Sequence, residues 1–164
     1  MLNTMVQSLS QTTAATFEEL ALVFPDAELS SVQKAASLDT MVSVEFRGPI
    51  AGRLVLRASD VILPTIAANM LGEAQGKRSS LQRDALGEVA NVICGNLLPR
   101  VCGADSVFNL SAPRVHENGG QFTRVGDDPT ARVQFGIDDG RAEVAVFLFD
   151  AAARASSPSV AAVG

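Results

Sequence analysis

The longest helical pattern in the chain runs from Ser79 to Cys102, and it limits the possible folds more than any other feature. Its apolar residues recur at three- and four-residue spacing and gather on one side of a helical projection: Leu86, Ala90, Ile93, Leu97 and Val101. Ser79-Ser80-Leu81-Gln82 matches a capping box, Gly103 is a helix stop, and Pro99 is expected to bend or shorten the last turn. The apolar side of this helix must face a core.

Segments of alternating polarity predict the strands that provide the rest of that core. Met41–Arg47 and Ile50–Arg57 both alternate, and the Gly48-Pro49 pair between them predicts a hairpin. Near the C-terminus, Ala131–Ile137 alternates and Asp139-Gly140 predicts a two-residue turn. The run Ala142–Phe149 that follows is apolar nearly throughout, as a strand covered on both faces would be.

The remaining elements complete an α+β order. An N-terminal amphipathic helix is stopped by Pro25, and residues 26–40 predict a turn and a short first strand. A second helix is expected between Ser59-Asp60, whose oxygens would cap it, and Gly72. The order predicts an α+β fold with long helices packed on an antiparallel β-sheet. We assign residues 1–153 to a single domain and expect 154–164 to be a disordered tail.

Composition excludes several classes of function. The 164 residues carry a formal charge of −5, so a basic face for nucleic acid is not expected, and base-stacking platforms are improbable with eight Phe and no Trp or Tyr. No run approaches the roughly 18 uncharged residues that span a bilayer. The N-terminus lacks the basic and apolar regions of a secretory signal, which predicts a cytoplasmic protein.

The residues that usually carry metal or nucleophilic chemistry are scarce. Cys94 and Cys102 are about 12 Å apart along one helix, which is too far for a disulfide, so both are expected to be free thiols. His116 is the single histidine and is predicted to lie in a surface loop, without partners for a triad or a metal cluster. Gly119-Gly120 is interpreted as a turn, since the glycines form no phosphate-binding motif.

A polar stripe on the long helix is the exception. Asp84, Glu88, Asn91 and Gly95 lie opposite the apolar side, and Glu88 and Asn91 are neighbours one turn apart. A glycine inside a helix is about 1 kcal/mol less favourable than alanine unless another group approaches it closely. Taken alone, E-x-x-N is a short pattern that is also typical of a solvated helix face.

The wider sequence around the stripe resembles a known family. Asp84-Ala-Leu-Gly-Glu88-Val-Ala-Asn91-Val-Ile-Cys-Gly95-Asn96 is similar to the signature helix of the CheC/CheX/FliY chemotaxis phosphatases, above all CheX. The strand from Gly52 and the helix ending at Gly72 are also similar, so the resemblance covers about residues 40–103. Only one signature is present, because the other helical candidate, Asn69, has no Glu three residues before it. A single signature favours the CheX type.

The resemblance implies dephosphorylation of a phosphorylated receiver domain, CheY or a relative. Asn91 would orient the attacking water and Glu88 would pair with the receiver's active-site lysine. The chain would need no cofactor or metal of its own, because the Mg²⁺ ion belongs to the receiver. Gly95, Asn96 and Asp84 are possible supporting residues, with Asn96 either structural or part of the site and Asp84 favoured as a surface acid. A homodimer formed through the sheets is also implied, and the apolar run Val144–Phe149 is a candidate strand for such pairing.

Two alternatives stay open at this point. A non-catalytic adaptor would bind a receiver or another signalling partner, although such a protein has no need of the Asn91 amide. An unrelated ligand-binding domain would instead be indicated by a deep apolar pocket beside the long helix.

Overall fold

Two antiparallel hairpins form the centre of the sheet. The computed structural model describes residues 2–116 and 128–149. Strands β1 (Thr40–Arg47) and β2 (Ala51–Ala58) form one hairpin. After the short strands β3 (Asn109–Leu110) and β4 (Arg114–His116), β5 (Ala131–Ile137) and β6 (Gly140–Leu148) form the other. The strand order is β3-β1-β2-β6-β5, and β4 pairs with β1 beside β3.

Alternation along the strands separates the two faces of the sheet. On β1, Val42, Val44 and Phe46 are at most 1% exposed, and Val42 and Val44 pair directly with Leu56 and Leu54 of β2. The same face continues through β6, where Val144 and Val146 lie opposite those leucines. Because successive side chains of a strand point to opposite faces, these residues form one apolar surface for the helices.

Helices cover this surface, which confirms the α+β class with helices packed on an antiparallel sheet. They are α1 (Leu2–Glu19), α2 (Ser31–Ala35), α3 (Leu63–Leu71) and α4 (Ser79–Cys102), with short 3₁₀ turns at Asp60–Ile62 and Gln75–Lys77. Residues of α1, α3 and α4 share one hydrophobic core with the sheet. Within residues 2–116 and 128–149, every helix is too short or too polar to span a lipid bilayer.

Helix ends agree with the sequence pattern at the C-termini more than at the N-termini. α3 and α4 end before Gly72 and Gly103, whose φ angles of 107° and 108° suit glycine. The capping box predicted at Ser79 is wrong, since Arg78 is the N-cap and no side chain caps the helix. Gln82 instead donates from Nε2 to the Gly76 carbonyl at 2.7 Å.

The helix between Ser59 and Gly72 is likewise not capped as predicted. Ser59 makes no cap hydrogen bond, and its hydroxyl instead donates to the Arg141 carbonyl at 3.3 Å. The Asp60 carboxylate accepts from Thr40 Oγ1 at 2.6 Å. The side-chain oxygens expected at the helix end therefore bind residues of the sheet.

The segment before β1 contains a helix where a short strand was predicted. α2 begins after Ser30, whose hydroxyl accepts from the Gln33 backbone while the Gln33 side chain accepts from the Ser30 backbone. This reciprocal pair is a true capping box, and it stabilises a single helical turn. α1 also ends earlier than predicted, at Glu19, because Leu22 adopts a left-handed backbone conformation with φ 54°.

The C-terminal strand has a different position from the one expected. β6 pairs with β2 on one side and with β5 on the other, so both of its edges are occupied. The prediction that Val144–Phe149 pairs with a second copy is therefore wrong, because pairing between sheets needs a free edge. The homodimer itself stays a prediction. The predicted tail 154–164 and the Gly119-Gly120 turn lie outside the described residues.

Candidate functional site

α4 presents the predicted polar stripe to solvent. Asp84, Glu88 and Gly95 are exposed and Asn91 is half-buried. On the other side, Leu86, Ala90, Ile93 and Leu97 are at most 1% exposed and belong to the core, while Val101 at the helix end is half-buried. The exposure expected for the stripe is therefore observed at Asp84, Glu88 and Gly95 and is partial at Asn91, and Glu88 lies outside the core.

Glu88 and Asn91 are one turn apart, which brings their Cβ atoms to about 5–6 Å. Within residues 2–116 and 128–149, neither side chain makes a hydrogen bond or ion pair. A carboxylate accepts hydrogen bonds and attracts cations, whereas an amide both donates and accepts. The pair thus offers a cation contact and a two-way hydrogen-bonding group on one patch of surface.

The segment between β3 and β4 lies along one side of this patch. A Cβ built on Gly87 would approach Pro113 Cβ to 3.1 Å, which is a tight contact. A Cβ on Gly95 would meet nothing nearer than Leu110 Cδ1 at 3.8 Å, an ordinary contact distance. Packing within the described chain therefore explains glycine at position 87 but not at position 95. Gly95 is exposed, so an external group can reach the helix backbone there.

A groove between α1 and α4 borders the patch on its other side. It encloses about 240 Å³ and is lined by residues of both helices: Thr12, Ala15, Thr16, Glu19, Leu20, Val92, Asn96 and Arg100. Asn96 is exposed and lines this α1–α4 groove, so it lies beside the patch and outside the core. Five of the eight lining residues are polar or charged, so this is not the deep apolar pocket of the ligand-binding alternative.

Two residues of this groove were missed from the sequence. Arg100 donates from Nη1 to Thr12 Oγ1 at 2.9 Å, a contact that joins α4 to α1. Arg100 follows Glu88 at three successive four-residue intervals, so a helical projection of the sequence could have placed the two residues in one row. Thr12 carries no such signal, because its role depends on how α1 packs.

His116 lies on β4 and not in a surface loop as predicted. The strand pairs with β1, and His116 Nε2 is 2.8 Å from Ser43 Oγ. Burial lowers the pKa of His116, and the positive charges of Arg114 and Arg53 lower it further. Among the residues that the structure describes, no cluster of three His, Cys, Asp or Glu residues could hold a metal ion.

The remaining candidates are two thiols, a helix-joining amide and a surface acid. Cys94 is buried and Cys102 is half-buried, and both thiols are free as predicted. Burial raises the pKa of Cys94 to about 12 and also raises the pKa of Cys102. The Asn69 amide donates to the Ala21 carbonyl at 2.9 Å, which ties α3 to the end of α1. Asp84 is exposed at the start of the stripe.

Comparison with known proteins shows the family of the chain. The family model of the chemotaxis phosphatase CheX matches residues 40–135. No curated protein matches the chain.

Solved structures of CheX proteins have the same fold. Chemotaxis protein CheX from Vibrio vulnificus has a TM-score of 0.70 at 17% identity, over 88% of this chain and 96% of that chain. CheX from Desulfovibrio desulfuricans has a TM-score of 0.70 at 21% identity, over 88% and 99% of the two chains. The CheX-CheY-BeF₃-Mg²⁺ complex from Borrelia burgdorferi has a TM-score of 0.61 at 16% identity, over 88% of this chain and 97% of that chain.

Proposed function

This chain belongs to the family of the chemotaxis phosphatase CheX, and we propose that it hydrolyses the aspartyl phosphate of a response-regulator receiver domain. The observation that carries the proposal is the Glu88–Asn91 pair, solvent-facing on α4 and without a partner in residues 2–116 and 128–149. A carboxylate and an amide that make no contact of this kind within the described residues are available to bind groups on another molecule.

The proposed role of Asn91 is to orient the water that attacks the phosphoryl group. Phosphoryl transfer depends mainly on position and electrostatics, and an aspartyl phosphate lacks a water held in line with the bond to be broken. The Asn91 amide enters the receiver's site and orients that water by hydrogen bonds. The water oxygen bonds to phosphorus as the bond from phosphorus to the aspartate oxygen breaks. The aspartate leaves as a carboxylate, and the proton of the water passes to inorganic phosphate or solvent.

Glu88 fixes the docked geometry. Its carboxylate pairs with the receiver's active-site lysine, so the amide one turn away is held at the phosphoryl group. Gly95 lets the receiver approach the helix backbone, since this position is exposed and carries no side chain of its own. The Mg²⁺ ion of the reaction belongs to the receiver, and the Borrelia complex contains BeF₃ and Mg²⁺ together with CheX and CheY.

The proposed chemistry needs one copy of the chain. Glu88 and Asn91 lie on the same helix, so a homodimer would present the site twice without completing it. The cytoplasm, where receiver domains act, is the proposed location. Asp84 lies near the site as a surface acid and has no assigned step.

Phosphate release from a panel of phosphorylated receivers tests the proposal. We expect this protein to accelerate release from at least one receiver and to bind that receiver in its beryllofluoride form. A receiver that binds this protein but loses its phosphate no faster would favour the adaptor alternative. If no receiver is either bound or dephosphorylated faster, the proposed function is wrong.

A further inference from the structure

The surface between α1 and α4 extends the Glu88–Asn91 site toward the end of α4. Four side chains follow one another at four-residue intervals, which places them in an inclined row on the helix: Glu88, Val92, Asn96 and Arg100. The last three line the α1–α4 groove. A partner that is seated on Glu88 and Asn91 therefore lies next to this groove.

The groove is lined by one cation and one carboxylate, Arg100 and Glu19, and Arg100 makes no ion pair within residues 2–116 and 128–149. Arg100 donates from Nη1 to Thr12 Oγ1 at 2.9 Å and from Nη2 to Gln11 Oε1 at 3.4 Å, and both acceptors are uncharged. The neighbouring Asn96 amide is exposed and makes no hydrogen bond to the described residues. A guanidinium beside a free amide is a donor set suited to a carboxylate.

The dimensions of the groove favour a side chain over a small-molecule ligand. Its volume of about 240 Å³ is below the roughly 300–1,000 Å³ of most small-molecule sites. Glu88 and Arg100 are separated by about 18 Å along the helix axis at 1.5 Å per residue. One receiver domain is wide enough to contact both charges at once.

We propose that the α1–α4 groove binds an acidic side chain of the receiver domain whose phosphorylation site receives Asn91, and that Arg100 thereby selects among receivers. This inference rests on the proposed function. Two charges of opposite sign on one helix require a partner with a basic group at its phosphorylation site and an acidic group about 18 Å away. A receiver that lacks the acidic group would leave the Arg100 charge unpaired at the interface.

Binding of a beryllofluoride-activated receiver with Mg²⁺ tests the role of Arg100. R100Q removes the charge but keeps a donor for Thr12, and R132Q removes an equal charge from an exposed position on β5. We expect R100Q to raise Kd by about tenfold, as for a hydrogen bond to a charged group, and R132Q by less than about twofold. The affinity of the parent should also fall more steeply with added salt than that of R100Q. In turnover, R100Q should raise KM with little change in kcat.

A charge exchange identifies the contact on the receiver. R100E should weaken binding further, and one Glu→Lys or Asp→Lys substitution on the receiver should restore the affinity of R100E while weakening the parent. Restoration at a single acidic position supports the groove contact. If no acidic position of the receiver restores R100E, the groove is not the binding site.

The outcomes separate this inference from the proposed function. If the parent binds no receiver, the proposed function fails. If the parent binds and R100Q matches it within about twofold, the groove proposal is overturned and the proposed function stands. If R100Q lowers the melting temperature, the comparison uses R100K, which keeps the charge. Affinity of R100K near that of the parent supports the proposal, and a loss as large as that of R100Q overturns it.

Discussion

The two sides of α4 differ in what their side chains contact. On the side toward the sheet, Leu86, Ala90, Ile93 and Leu97 are almost fully buried in the common core. On the solvent side, Glu88 and Asn91 make no hydrogen bond or ion pair with the described residues. Because successive helix residues are rotated by 100°, the side chains that stabilise the core and the side chains that carry the proposed function lie on opposite sides of one helix. Mutations on the two sides should consequently affect different measurements.

The largest effect is expected on the buried side. Ile93 is fully buried, and I93A should lower the free energy of unfolding by about 2–5 kcal/mol, because it removes apolar contacts and leaves a cavity. Urea denaturation measures this loss. The rate of dephosphorylation per folded molecule should stay unchanged, since the Ile93 side chain faces away from the site. A lower kcat per folded molecule would contradict the separation between the two sides of α4.

On the solvent side, the change with the largest effect is N91A. We expect kcat for dephosphorylation to fall by about 10²–10³-fold, as when one positioned hydrogen-bonding group is lost from an active site. The free energy of unfolding should change by less than about 0.5 kcal/mol, because the amide contributes nothing to the core. Single-turnover kinetics and urea denaturation measure the two quantities. N3A, which removes an exposed amide near the start of α1, serves as the control, and an equal loss of kcat there would contradict the assignment.

E88A is expected to act on binding more than on chemistry. A charge-assisted contact contributes about 1.5–3 kcal/mol, so Kd for the beryllofluoride-activated receiver should rise by about 10- to 150-fold. Asp84 is also exposed, one turn earlier on the same stripe, and provides the matched control. D84A should change Kd only slightly. Equal effects of D84A and E88A would mean that only the general negative charge of α4 matters.

The two glycines of α4 give a smaller contrast. G95A should raise the free energy of unfolding by up to about 1 kcal/mol, because alanine is the better helix former and its Cβ meets nothing nearer than 3.8 Å. G87A should gain less or lose stability, since its Cβ approaches Pro113 to 3.1 Å. G95A should nonetheless weaken receiver binding. A stabilised G95A protein with unchanged Kd would show that glycine at position 95 is not needed for the receiver to approach the helix.

The smallest effect concerns the buried thiol. Burial raises the pKa of Cys94 from 9.0 to about 12, so above pH 9 the unfolded chain releases a proton that the folded chain keeps. The free energy of unfolding should therefore decrease as the pH rises above 9, and C94A should reduce this decrease. Native Cys94 should react slowly with thiol reagents, whereas the unfolded chain should show two reactive thiols. Rapid reaction of Cys94 in the native state would contradict its burial.

Local sequence patterns were sufficient for the main elements and for the stripe. The helical period placed Glu88 and Asn91 outside and Ile93 inside, and the glycines at 72 and 103 marked helix ends. The alternation along Met41–Arg47 predicted the strand that became β1. These signals succeed because backbone geometry fixes the direction of each side chain within an element.

Contacts between distant segments decided the rest. Arg100 and Thr12 are 88 residues apart in the chain, and Ser43 and His116 are 73 apart, so no local period relates either pair. The capping box at Ser30 formed and the equally plausible one at Ser79 did not, since Gln82 reaches the Gly76 carbonyl instead.

The sequence by itself therefore determined the fold class and the polar stripe of α4. The tertiary structure alone decided that β6 lies inside the sheet, that a Cβ would fit at Gly95 but be crowded at Gly87, and that a groove with Arg100 borders the site. The physical reason is that hydrophobic periodicity specifies which face of an element is buried but not which neighbour buries it. The choice of neighbour depends on side-chain packing between elements, which appears only when the whole core is assembled.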